Sequence, residues 1–255
     1  MKIGVIGLGL IGGSIFKALM DLNKYDVVGI SRTVQHENVT NDYELLQNCN
    51  LIFVCTPMNA TLEILDKLQK YVSESTIVTD VCSLKGFVSK KEYSYKFIPS
   101  HPMAGTENNG WNSSFAELFK GAKWVITPIN GIIQPEQEIL ETVIKDLGAN
   151  IIITTPEEHD KAVALISHMP MVVAQALCLN IKDNQLAQHL ASTGFKDTTR
   201  LALSNTQMAE DMVNLNSLNI NEAIEGLKIS LNKLLNTNYR TQIDSIKDFR
   251  KNLYD

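Results

Sequence analysis

Disulfide and metal chemistry are what this chain is poorest in. Its 255 residues include four cysteines, Cys49, Cys55, Cys82 and Cys178, and no two stand as CxxC. Neither a zinc site nor a dithiol redox motif is expected, and no metal. Thiols set within apolar runs suit a reducing compartment, so a cytoplasmic location is expected. A basic excess is also missing. Twenty-three Lys and Arg against 28 Asp and Glu leave a net charge of −5. That speaks against a nucleic-acid partner but leaves room for a local site that binds a small anion. Ile3 to Phe16 is apolar and follows Lys2, yet five glycines interrupt it and no small-x-small cleavage site is evident nearby, so a strand followed by a glycine loop is expected rather than a signal-peptide core. Ala162 to Ile181 has 20 residues without a formal charge. It is long enough to span a bilayer. Ser167, His168, Pro170, Gln175 and Asn180 within it mark a helix buried in protein instead, and no membrane partner is expected. No internal repeat and no low-complexity segment is found.

What is present is ordinary for a globular chain: 44% apolar and 20% charged residues. At about 150 residues per domain the length corresponds to roughly 1.7 domains, with no separate regulatory domain expected. The first part alternates β-branched runs with helical patterns. Strands are expected at Lys2–Ile6, Asp26–Ile30, Leu51–Cys55, Thr76–Asp80, Phe97–Ser100, Trp124–Thr127 and Asn150–Thr154. Helices are expected from about Gly12 to Asp21, Ala60 to Tyr71 and Pro135 to Leu147. Such alternation implies a parallel sheet with helices on both faces. Thr155-Pro156-Glu157-Glu158 then reads as a helix start with a capping box. Beyond it only helical spacing follows, over Leu186–Ser192, Met208–Leu215, Ile220–Leu235 and Asn238–Leu253. A domain boundary is placed near Thr155, giving 1–155 and 156–255. The first helix of the second part is apolar nearly all round and needs partners on every side, most simply a second copy of the chain.

Gly7-Leu8-Gly9-Leu10-Ile11-Gly12 is G-x-G-x-x-G, set between an expected strand and an expected helix. In that context it is a dinucleotide-binding loop. Gly7 permits the tight turn, Gly9 lets backbone N–H groups reach a pyrophosphate, and Gly12 lets helix pack on strand. The fold class is therefore an α/β Rossmann-like parallel-sheet N-terminal domain plus an all-α C-terminal dimerisation domain. About 20 residues on, an NAD-binding fold usually carries Asp or Glu. This chain has Ser31, Arg32 and Thr33 there. A guanidinium and two hydroxyls suit a 2′-phosphate, so NADP is expected, with NAD possible if Arg32 is solvated or stacks on the adenine.

Of the five histidines, His36, His159 and His189 are read as structural or exposed. His101 stands at the carboxyl end of an expected strand, the edge where parallel sheets bind ligands. A neutral imidazole there can take a proton from a hydroxyl while hydride leaves the same carbon. The alternative is a hydrogen-bonded turn histidine. Ser83, also after a strand end, can fix the imidazole tautomer or hold the substrate oxygen. His168 precedes Met169-Pro170 in the uncharged stretch. It reads as a hydrogen-bonded core residue or, with Pro170 kinking the helix, as part of a pocket. Arg200 can grip a carboxylate bidentately or pair with Asp197, three residues back.

The segments GLGLIGGS, VCTP, TDVCSLK, SHPMAGTE, ISHMP and GFKDTTR, in that order from residue 7 to residue 200, together resemble the prephenate/arogenate dehydrogenase family of tyrosine biosynthesis. The resemblance implies an oxidative decarboxylation of prephenate or arogenate: hydride goes to the nicotinamide and carbon dioxide is lost as the ring aromatises. It places the family's catalytic histidine on His101 and its assisting serine on Ser83. The arginine that grips the ring carboxylate falls on Arg200, and the histidine near the substrate side chain on His168. Thr106, Glu107 and Asp197 fall at the pocket and its entrance. Thr56 and Pro57, in VCTP, join the cofactor set. Some relatives carry a tryptophan after the arginine motif; Met208-Ala209 stand here, so gating by that ring is not expected.

Two other readings are weighed. A β-hydroxyacid or imine dehydrogenase shares the layout, but the former relies on a lysine in the helical half. Here only Lys161 and Lys182 border the long helix. A non-catalytic NADP sensor would bind cofactor without turnover.

Overall fold

The computed structural model describes residues 1–106, 108–129 and 135–254. The chain forms two compact units. One comprises Met1–Val163 with Leu203–Leu215, the other Ala164–Ala202 with Asn216–Asp255.

The first unit is built on a six-stranded parallel sheet in the order β3-β2-β1-β4-β5-β6. Its strands are β1 (Lys2–Ile6), β2 (Asp26–Ile30), β3 (Val39–Thr40), β4 (Leu51–Val54), β5 (Ile77–Asp80) and β6 (Lys96–Phe97). Strands β1, β4 and β5 are buried almost throughout, as continuous Val/Ile/Leu runs in a sheet covered on both faces must be. Helices α1 (Leu10–Asp21) and α2 (Met58–Leu68) make the crossovers. The order reverses between β1 and β4, and such a switch point opens a crevice at the carboxyl ends of the strands.

The remaining strands do not extend this sheet. β7 (Ser100–Pro102), β8 (Lys123–Ile126) and β9 (Asn150–Ile153) form a second sheet, with β7 antiparallel and β9 parallel to β8. The single strand expected over Phe97–Ser100 is broken in two at Pro99, which has no N–H to continue a ladder. Ile98 N–H still bonds Val78 O of the first sheet, whereas Ser100 pairs with Ile126 of the second. Helix α3 (Gln137–Asp146) buries Leu140, Val143 and Ile144 in the same core as Trp124 and Phe119.

Helix α4 (Pro156–Val163) starts as the capping box predicts. Thr155 Oγ1 accepts from Glu158 N–H at 3.1 Å. Hydrogen bonds from the Thr154 hydroxyl and the Thr155 N–H hold the Glu158 carboxyl below its ordinary value. Helix α8 (Thr206–Leu215) returns to this unit against α2.

In the second unit a π turn (Ala164–His168) leads into α5 (Met169–Asn180). Pro170 cannot donate to the carbonyl four residues back, and the wider turn absorbs that gap. Short helices α6 (Gln185–Leu190) and α7 (Thr193–Thr198) follow, then the long α9 (Ser217–Leu235) and α10 (Tyr239–Asn252). The apolar segment expected to be buried is mostly not buried within one chain. Met171 and Ala174 are covered, but Leu165, Ile166 and Leu179 are 54%, 66% and 68% exposed. Further along the unit, Ile229 and Leu235 of α9 are 70% and 78% exposed.

Candidate active site

The glycine loop joins β1 to α1 in the first unit. Gly7 has φ +86°, and a Cβ there would lie 2.7 Å from Cys55 O at the end of β4. A Cβ on Gly12 would lie 2.0 Å from Gly7 O. These two glycines hold the loop against the sheet. Gly9 differs: a Cβ there meets nothing within 4 Å. It caps α1 with no side-chain hydrogen bond and with no acidic residue in the first turn. Gly9, Leu10, Ile11 and Gly12 therefore offer first-turn N–H groups toward open space, as an anion at a helix N-terminus requires. Leu8 turns inward to the core. Thr56 and Pro57 follow β4, Pro57 capping α2 and Thr56 Oγ1 lying 3.0 Å from Thr61 Oγ1. The loop fits a dinucleotide pyrophosphate.

At the end of β2, Ser31 Oγ accepts from the N–H groups of Thr33 and Val34, each at 3.2 Å. This folds the turn and leaves the Ser31 hydroxyl hydrogen to donate. Arg32 and Thr33 are exposed. Burial pushes the Tyr43 phenol up, and the nearby Arg32 charge pulls it back down. Lys67 Nζ sits 3.5 Å above the Tyr43 ring. Ser31, Arg32 and Thr33, none of them a carboxylate, directly follow β2.

His101 lies on β7, whose position is set from below by Ser100. Ser100 is fully buried. Its N–H donates to Asp80 Oδ1 at 3.3 Å and its hydroxyl to Asp80 O at 2.9 Å. Trp124 Nε1–H donates to Ser100 Oγ at 2.9 Å. Lys85 Nζ reaches Ser100 O at 2.6 Å and pairs with the Asp80 carboxylate, both side chains having no exposure. The end of β5 and the start of β7 are thereby locked together.

His101 Nδ1 lies 2.9 Å from His159 Nε2, and His159 Nδ1 lies 2.8 Å from Asp160 Oδ1. Asp160 also accepts from the backbone N–H groups of Lys85 and Gly86, each at 2.8 Å. Of the two readings of His159, structural or exposed, the exposed one is corrected: it is 3% exposed and lies against the candidate base. The capping box already turned the first turn of α4 to a known face, but a contact across 58 residues leaves no local trace. Ser83, carried by the same loop as Lys85, donates to Met58 Sδ at 3.5 Å. His101 Nδ1 thus faces His159. Thr106 is exposed, its Oγ1 accepting from Asn108 N–H at 3.2 Å. Glu107 lies outside the described residues.

In the second unit His168 is fully buried on the π turn. Asn216 Nδ2 donates to His168 Nδ1 at 3.1 Å, and Asn219 Nδ2 donates to Asn216 Oδ1 at 2.7 Å. The second bond orients the Asn216 amide, so the hydrogen of a neutral His168 is on Nε2. Arg200 and Asp197 are exposed. Helix α7 ends at Thr198 and Arg200 begins a 3₁₀ turn, so the two no longer share one helical face. Among the described residues they form no ion pair. No cluster of metal-ligating side chains occurs among the described residues.

A nucleotide loop at the switch point and, in the same unit, a half-buried histidine paired with a buried one fit a dehydrogenase that uses a nicotinamide cofactor. Comparison with known proteins makes this specific. Residues 18–153 match the family model for the prephenate dehydrogenase nucleotide-binding domain, and residues 155–253 that for the prephenate dehydrogenase dimerization domain. The chain belongs to the prephenate dehydrogenase family. It is 29% identical to a prephenate dehydrogenase of Lactococcus lactis, over 91% of this chain and 70% of that protein. Its fold is similar to crystal structures of Synechocystis arogenate dehydrogenase and of Aquifex aeolicus prephenate dehydrogenase in complex with hydroxyphenyl propionate and NAD+. The first shows a TM-score of 0.81 at 33% identity, covering 99% of this chain and 97% of that one. The second shows 0.80 at 26%, covering 99% and 96%.

Proposed function

We propose that this dehydrogenase oxidatively decarboxylates prephenate to 4-hydroxyphenylpyruvate, with NADP as the preferred hydride acceptor. The observation that carries the reading is the commitment of His101 Nδ1 to His159, which gives the base function to Nε2. His101 takes the proton of the ring 4-hydroxyl. Ser83 holds the same oxygen. Arg200 grips the ring carboxylate before it leaves, His168 donates from Nε2 to the substrate side chain, and Thr106, Glu107 and Asp197 order the entrance. The bound nicotinamide supplies the hydride acceptor. Gly7 to Gly12 hold its pyrophosphate, with Thr56 and Pro57 alongside, and Ser31, Arg32 and Thr33 hold the 2′-phosphate. The exposed guanidinium at the end of β2 supports NADP over NAD.

The boundary near Thr155 is proposed to separate cofactor and helical domains, the latter forming a homodimer. The segment Pro156–Asn180 is long and apolar enough to cross a membrane. A dimer interface explains that composition equally, and the family model matched there is a dimerization domain. Four free thiols support a cytoplasmic location.

Initial rates with prephenate and with arogenate, each with NAD and NADP, test the reading. Rapid reduction of NADP by prephenate is expected, with near-complete loss in His101→Asn. Arg32→Ala should weaken NADP about 10-fold or more while sparing NAD. Turnover of neither substrate overturns it. Arogenate as the faster substrate would favour the second reading, which the similarity to an arogenate dehydrogenase motivates.

A further inference from the structure

We propose that His159 and Asp160 are positioning residues that hold His101 in its base-competent tautomer. The inference rests on His101 being the base, and it extends the His101–His159 contact to Asp160, which has no part in the proposed reaction so far.

Asp160 stands just past the first turn of α4, whose start the capping box fixes. It receives the N–H groups of Lys85 and Gly86 on its two oxygens. A Cβ on Gly86 would stand 2.8 Å from Asp160 Oδ2, so only glycine admits this approach. An ionised carboxylate is an acceptor and nothing else. At 2.8 Å from Asp160 Oδ1, His159 Nδ1 must therefore carry a hydrogen. A neutral His159 then has its lone pair on Nε2. That lone pair faces His101 Nδ1 at 2.9 Å, so His101 Nδ1 must be the donor. Nε2 of His101 is left with the lone pair that accepts the substrate proton. Each ring fixes the tautomer of the next, and Asp160 fixes the first.

The same line of bonds serves the protonated state. Once His101 carries a second proton, Nδ1–H donates more strongly to His159 Nε2, and the Asp160 charge lies beyond it. The two rings meet nearly edge to face, at 78° with centroids 5.2 Å apart, so His101 cannot rotate without losing the bond. Asp160 also ties the backbone of the Ser83 loop to α4. One carboxylate therefore sets both the base and the hydroxyl beside it.

Two measurements test this. His159→Leu removes the acceptor facing His101, whereas His159→Gln can return a neutral acceptor near the Nε2 position. Expected for His159→Leu is a kcat about 10- to 100-fold lower, within the range for loss of effective base catalysis. KM for the substrate and Kd for NADP should stay within about threefold, because neither ligand is bound by this residue. His159→Gln should fall between wild type and the leucine variant in kcat. A kcat within twofold of wild type in His159→Leu overturns the proposal, as does equal loss in both variants with a matching rise in KM. The second measurement needs no substrate and so separates this inference from the proposed activity. Long-range ¹H–¹⁵N correlation in the wild-type protein, on neutral His101, should show hydrogen on Nδ1 and a bare Nε2. Hydrogen on Nε2 instead would overturn it whether or not prephenate is turned over.

Discussion

The ammonium of Lys85 and the carboxylate of Asp80 form an ion pair with no solvent exposure on either side chain. Desolvating two charges is costly. The pair persists because its remaining hydrogen-bonding capacity is also used: Lys85 donates to Ser100 O, and Asp80 accepts from Cys82 N–H and Ser100 N–H. Removing one partner leaves an uncompensated buried charge, at a cost of about 3–5 kcal/mol. Lys85→Met is expected to lower the urea midpoint accordingly. The double variant Asp80→Asn, Lys85→Met should recover part of the loss, since the amide needs no counter-charge. Equilibrium unfolding followed by circular dichroism decides between them. A double variant no better than the single would mean that packing, rather than charge, limits the site.

Two of the motif glycines, Gly12 and Gly9, should respond differently to the same methyl group. At Gly12 a Cβ would overlap Gly7 O at 2.0 Å, and backbone cannot swing aside as a flexible side chain can. Gly12→Ala is expected to lose both stability and cofactor binding. At Gly9 the added methyl enters open space, so stability should stay within about 0.5 kcal/mol. The proposed pyrophosphate site is that space at the α1 N-terminus, so NADPH binding should weaken about 10-fold or more. Thermal melts with fluorescence titration of NADPH separate the two effects. Unchanged affinity in Gly9→Ala would move the pyrophosphate elsewhere.

The cofactor half was legible in the sequence because its signals are local. Strands β1 and β2 begin and end where the apolar runs of Lys2–Ile6 and Asp26–Ile30 do, and the glycine loop carries its own spacing. The β6–β7 break was less so: Pro99 marks it, but leaving one sheet for another depends on Ser100 bonding to Asp80 and Trp124. His159 and Lys85 were invisible as site residues for the same reason. A lysine or histidine in a polar context is normally solvated, and only tertiary partners distant in sequence reverse that. The exposed Arg200 went the other way: the end of α7 at Thr198 removes the local pairing with Asp197 that helical spacing suggested.

Cys49 makes stability fall at alkaline pH. Burial pushes its thiol up from 9.0 to about 11, with Lys2 opposing weakly. A folded value above the unfolded one means that the contribution is complete below pH 9 and is lost as pH rises toward 11. The limit is about 3 kcal/mol, from two units at roughly 1.4 kcal/mol each. Burial raises Cys82, Tyr93 and Tyr95 as well, so other groups add to the fall. Urea midpoints at pH 8 and pH 10.5 in wild type and Cys49→Ala isolate the share of Cys49. The alanine variant should show the shallower decline. Equal slopes would mean that the thiol stays protonated, or titrates freely, in both states.

The second unit carries its apolar surface outward in a single chain, and this predicts how the protein assembles. Ile166 and Leu179 on the first apolar stretch, and Ile229 and Leu235 on α9, are each more than two-thirds exposed or nearly so, at 66%, 68%, 70% and 78%. Monomeric soluble proteins rarely leave large contiguous apolar patches uncovered. A second copy is the natural cover, because the same surface then serves both partners. Wild type is expected to sediment as a dimer at micromolar concentration. Leu179→Glu places a charge on that surface without touching the core of its own chain. It should yield a folded monomer, with unchanged NADPH binding by the first unit. A wild-type monomer would refute the assembly, and a Leu179→Glu dimer would show that the interface runs through another face.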